Sequence, residues 1–252
     1  MQKLKFIYQN WNREYYELQS EEDTCSYYKN FYKGKEFKIL PQILAENTKN
    51  TEKWAKYAYE QNKYFVEQMR LENFSLRTPK LFEQKTDEIA RMYNITALLE
   101  HNNQFYAYAE VIGMFFTICF IDEHNRVYLQ YSFQGDDTTY KTDSIKQRFK
   151  EGNLFLVEVE VFIYPEEMVD DDWENKDYIS YTFTPEGYME VTKIFDVRGE
   201  GMTEKYVASS PVNVESNWEP YPKFGEWDSI FRMKRWKEGE LAKDFKLPNS
   251  TC

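Results

Sequence analysis

The chain has 252 residues, 32 basic and 43 acidic, for a formal net charge of −11, with 42% hydrophobic and 18% aromatic residues. That apolar content suffices for a core in one large domain or two small ones, while the acidity opposes nucleic acid and anionic lipid as partners. Three cysteines, Cys25, Cys119 and Cys252, are odd in number and far apart; they fit neither a disulfide framework nor a zinc pattern and suggest a reduced, cytoplasmic compartment.

The N-terminal segment meets Asn10, Asn12 and Arg13 before it reaches the length of a secretory signal. The longest apolar stretch, Val111 to Ile121, is far below the roughly 20 residues that span a bilayer. Trp54, Tyr57, Ala58, Tyr64, Phe65 and Met69 recur at spacings of three, four and seven, which predicts a helix over about Thr48 to Glu72. Thr78-Pro79 reads as a helix N-cap and first-turn proline, predicting a second helix to about Tyr93 that buries Leu81, Phe82, Ile89 and Met92.

From about Ala97 the period changes to two. Phe105 to Val111, Met114 to Ile121 and Arg126 to Phe133 read as strands, the last two joined by the turn residues Asp122-Glu123-His124-Asn125. A short helix is expected over Thr142 to Lys150, with Ile145 and Phe149 inward and Gly152-Asn153 stopping it. Leu154 to Tyr164 then alternates, with Glu158 and Glu160 on one face and Val157, Val159 and Val161 on the other. Tyr178 to Thr184 and Tyr188 to Val197 predict a hairpin around Pro185-Glu186-Gly187, Lys205 to Ala208 a last short strand, and Asp228 to Trp236 a closing helix. The expectation is a single α+β domain over residues 1–252, helix-rich over 1–96 and strand-rich over 97–252, with N-terminal helices packed on a largely antiparallel β-sheet.

Chemistry is sparse in this pattern. His101 and His124 lie beside asparagines in expected turns, where a polar ring is at home, and no Gly-x-Ser-x-Gly or phosphate-loop sequence occurs. Cys119 sits inside an apolar strand, where a thiol is inert, and Arg198-Gly199-Glu200-Gly201 reads as a loop or bulge. Asp170-Asp171-Asp172 and Asp136-Asp137 offer hard-cation ligands, but the first lacks the glycine and terminal glutamate of an EF-hand loop; no cofactor or specific metal is expected. Lys33-Gly34-Lys35 and Lys234-Arg235 with Lys237 read as solvated basic faces. Converging carboxylates with aromatic stacking residues leave a carbohydrate-active or metal-dependent enzyme as the alternative.

The charge itself is uneven. Between Glu151 and Glu190 twelve carboxylates face one base, Lys176, so this window carries a formal −11 and the rest of the chain sums to zero. Its densest part, Glu166, Glu167, Asp170, Asp171, Asp172, Glu174 and Asp177, surrounds Trp173, the composition of an aromatic-anchored contact for a basic surface. Solubility alone is the competing explanation.

An acidic, Tyr/Trp-rich α+β chain without a catalytic constellation resembles the immunity proteins that bacteria encode beside polymorphic or secreted toxins. Ser216-Asn217-Trp218-Glu219-Pro220-Tyr221-Pro222-Lys223-Phe224-Gly225 is similar to terminal segments in such proteins. The resemblance implies tight stoichiometric binding to a cognate toxin, often a nuclease with a basic active site. It carries over no functional residue. The expectation is a non-enzymatic toxin inhibitor, without nucleic-acid or membrane binding, that contacts its partner through Glu166, Glu167, Asp170, Asp171, Asp172, Trp173, Glu174 and Asp177.

Overall fold

The computed structural model describes residues 3–12, 17–20, 22–24, 92–112, 114–135, 140–164, 177–197, 200–223 and 225–235. The chain divides into two compact units, Met1–Phe115 and Phe116–Cys252.

In the first unit, strand β1 (Leu4–Ile7) pairs antiparallel with β4 (Met92–Leu99), which pairs with β5 (Phe105–Ile112). A small ribbon, β2 (Trp11–Asn12) with β3 (Glu17–Leu18), completes the described strands of this unit. Trp11 is buried, stacked at 5.9 Å on Tyr108 and edge-on at 5.1 Å to Phe105. Polar groups lock the segment before it: the Thr96 hydroxyl donates to the Gln9 carbonyl at 2.9 Å, and Asn94 Nδ2 donates to Asn10 Oδ1 at 2.8 Å. Asn103 closes the β4–β5 turn at φ 56°, a left-handed conformation that asparagine tolerates better than most residues.

The second unit is an antiparallel meander in the order β6 (Phe115–Ile121), β7 (Val127–Gln134), β8 (Asn153–Ile163), β9 (Asp177–Phe183), β10 (Met189–Val197), β11 (Glu200–Val207). Strand β12 (Trp218–Pro220) adds to the start of β8. The β6–β7 turn is built on Asp122, whose Oδ1 accepts from the backbone N–H groups of His124 and Arg126 at 2.9 Å each. Gly187, at φ 90°, closes the β9–β10 turn; a Cβ there would lie 2.8 Å from the Val212 carbonyl oxygen, so only glycine fits. Helix α1 (Asp143–Lys150) buries Ile145 and Phe149 and ends where Gly152 turns to φ 82° and donates to the Phe149 carbonyl.

The core lies on one side of this sheet. Leu129, Tyr131, Phe133, Val159, Tyr181 and Phe183 are buried there by the period of two. The buried Trp227, Ile230 and Phe231 belong to the segment that brings Arg235 over the Tyr131 and Phe133 rings. At the start of β8 the alternation breaks. Ser132 faces Glu158 but Phe133 faces Leu156, so Val157 is the extra residue of a bulge and Leu154, Phe155 and Leu156 are buried in succession.

Several expectations are corrected. The described residues are mostly antiparallel β-sheet with little helix, so the α+β arrangement with N-terminal helices on a sheet does not hold. The helix at 48–72 and most of that at 79–93 lie outside the described residues. Met92 and Tyr93, assigned to the end of the second, begin β4. Ile95, Thr96, Ala97, Leu98 and Leu99 are all buried, and a strand covered on both faces loses the alternation that marks strands in sequence. Gly201 lies within β11, paired with Asp196, rather than in a loop. Residues 228–231 form successive turns rather than a helix. Among the described residues no helix is long and apolar enough to cross a membrane.

Candidate functional site

The side of the meander opposite the core carries polar side chains in a grid set by the register. Gln130, Glu160, Ser180, Thr192 and Lys205 lie opposite one another across β7 to β11, and Ser132, Glu158, Thr182 and Glu190 form the adjacent row. Strand alternation alone places Glu158 and Glu160 on the same face, with Cα atoms about 6.6 Å apart from the rise per residue.

Hydrogen bonds hold both carboxylates in place. Ser180 Oγ donates to Glu158 Oε1 at 2.9 Å, and Gln130 Nε2 donates to Glu160 Oε2. Gln130 is itself fixed, because its Oε1 accepts from the Cys119 thiol at 3.3 Å. On β7 and β9 the cross-strand neighbours of the pair, Gln130, Ser132, Ser180 and Thr182, are all neutral. The basic side chain in the grid, Lys205, sits on β11 and its Nζ is 3.4 Å from Glu190 Oε1.

Two negative charges at this separation repel by about 2–3 kcal/mol in a half-buried site of effective dielectric near 20. Burial, and then the charge of Glu158, push the Glu160 carboxyl up to about 7. The Tyr178 hydroxyl is raised as well, by burial first and then by Glu160 and Glu158. The arrangement is therefore an anionic face whose charge varies near neutral pH. It can accept hydrogen bonds or a cationic group, and its protonated member can donate.

Of the contact residues expected from sequence, Glu166, Glu167, Asp170, Asp171, Asp172, Trp173 and Glu174 lie outside the described residues, as does Asp136-Asp137. Asp177 is the first residue of β9, half-exposed and opposite Ile163. Glu190, from the same acidic window, joins the polar face through Thr182; Glu186 stands in the β9–β10 turn. His101 and His124 occupy turns and are exposed. Among the described residues no group of three or more His, Cys, Asp or Glu side chains is placed to hold a metal ion.

Sequence reasoning found Glu158 and Glu160 as strand carboxylates but not their partners Gln130, Ser180 and Tyr178. Alternation reveals which residues share a face of one strand, whereas the cross-strand register that joins them depends on loop lengths and the bulge. It also misread Arg235 as part of a solvated basic face. Arg235 is buried beside Glu219, its Nη1 donating to Oε2 at 2.7 Å, and burial lowers its pKa against the raising effect of that carboxylate. Comparison with known protein families, curated proteins and solved structures found no match.

Proposed function

We propose that this protein is a non-enzymatic inhibitor of the immunity type, binding and neutralising a cognate basic toxin domain through an acidic surface. The observation that supports this reading is the concentration of charge in one part of one unit. Among the described strand residues Glu158, Glu160 and Glu190 share a sheet face with one base, Lys205, and seven of the eight expected contact residues fall in the sequence between β8 and β9. A field of one sign accelerates encounter with a basic partner and disfavours acidic ones. Trp173 supplies the apolar anchor that charge alone lacks.

The test is titration calorimetry against the protein encoded directly upstream, at low and at physiological salt. The intact chain binds, and the triple variant D170K/D171K/D172K loses about tenfold or more in affinity together with most of the salt dependence. Unchanged affinity and unchanged salt dependence in that variant would sink the assignment. The second reading is a carboxylate-based enzyme, favoured by the Glu160 carboxyl held at about 7 beside Glu158, because a carboxyl that titrates near neutral pH suits general acid or base work. That reading requires turnover of a glycoside panel by the intact chain and its loss in E160Q.

A further inference from the structure

Glu158 and Glu160 project from alternate positions of β8, an interior strand, onto one face. The side chains facing them on the adjacent strands, Gln130 and Ser132 on β7 and Ser180 and Thr182 on β9, are neutral. Titratable or charged groups on the same face of the described strands include Cys119 on β6, Tyr128 on β7, Tyr178 on β9, Glu190 on β10 and Lys205 on β11. Cys119 donates to Gln130, and Lys205 is engaged with Glu190. Among the described residues the pair thus lacks an adjacent cation, and part of its hydration is lost to burial. Two such carboxylates are relieved by keeping one proton between them.

We propose that Glu160 keeps its proton beside Glu158 below neutral pH, and that its release to solvent as pH rises through neutrality sets two charges against each other and loosens the β7–β8–β9 sheet. Ser180 Oγ donates to Glu158 and Gln130 Nε2 to Glu160, so both carboxyls are held on the one face, with the proton assigned to Glu160. The direction agrees with the raised Glu160 carboxyl. This device is a property of the fold and stands whether or not the acidic surface binds a toxin.

The sign follows from linkage. A carboxyl whose affinity for the proton is higher in the folded chain gives stability that is fully present below about pH 4.5 and is lost as pH rises through about 7. Thermal unfolding of the intact chain is measured between pH 5 and pH 8 alongside E160Q and E158Q. The wild-type midpoint falls by a few degrees more than that of E160Q over this range, and E158Q moves the fall to lower pH by removing the like charge. Infrared difference spectra supply a reading independent of stability: a protonated-carboxyl carbonyl band is present at pH 6, is lost by pH 8, and is missing from E160Q. Identical pH profiles for the wild type and E160Q, or no carboxyl band at pH 6, overturn the proposal. Should E160Q fail to fold, the displaced profile of E158Q and the wild-type infrared titration decide the matter.

Discussion

Glu219 and Glu160 are both drawn out of water in the second unit, on opposite sides of the same meander, and they are held in different ways. On the core side, Glu219 Oε2 receives Arg235 Nη1 at 2.7 Å and Arg232 Nη2 at 3.1 Å, while Arg235 also donates through Nη2 to the carbonyls of Ser229 and Ile230. On the polar side, Glu160 meets an amide from Gln130 and a like charge from Glu158. Charge is neutralised by a partner cation in the first case and by a proton in the second. The first solution is insensitive to pH near neutrality because arginine stays charged. The second titrates there.

The largest effect expected from breaking this contrast is on the core side. E219A leaves the Arg235 guanidinium buried without its carboxylate, which costs about 3–5 kcal/mol and lowers the unfolding midpoint on the order of 10 °C in calorimetry. A loss no larger than that of an exposed pair, below about 1 kcal/mol, would show that Arg235 finds other compensation.

The double variant E219L/R235M sharpens the same point with a smaller expected effect. Replacing both members by apolar side chains of similar size removes the desolvation penalty along with the attraction. Its stability therefore lies within about 2 kcal/mol of the wild type and well above that of E219A. If the double variant is as unstable as the single one, the ion pair itself, with the carbonyl contacts of Arg235, is what holds residues 227–235 on the sheet.

The two sides also differ in how far sequence reveals them. The hairpins on either side of Asp122–Arg126 and Pro185–Gly187, and helix α1 with Ile145 and Phe149 inward, follow from local turn chemistry and periodicity, and the structure has them. Glu158 and Glu160 are legible as a pair on one face because alternation is local. What sequence does not contain is the cross-strand register that brings Gln130 and Ser180 to them, nor the bulge at Val157 that interrupts the β7–β8 ladder. Nor does it show that Arg235, 16 positions from Glu219, is pulled inward by it; in sequence it is one more base beside Lys234. β4 was missed for a related reason, since a strand buried on both faces has no polar side to alternate with.

The smallest expected effect separates hydrogen bonding from proton storage on the polar face. S180A removes the hydroxyl that donates to Glu158 at 2.9 Å. Its neighbours Glu158 and Thr182 stay in the sheet, so the cost is that of one partly buried hydrogen bond, about 0.5–1.5 kcal/mol. Losing this donor leaves the two carboxylates side by side on β8. The fall in stability with rising pH therefore persists in S180A, while E160Q loses it. Urea unfolding at pH 5, 6, 7 and 8 distinguishes the two variants: parallel profiles for S180A and the wild type assign Ser180 to packing and orientation. A profile as flat as that of E160Q would instead make the Ser180 hydrogen bond, rather than the juxtaposed charges, the origin of the pH dependence.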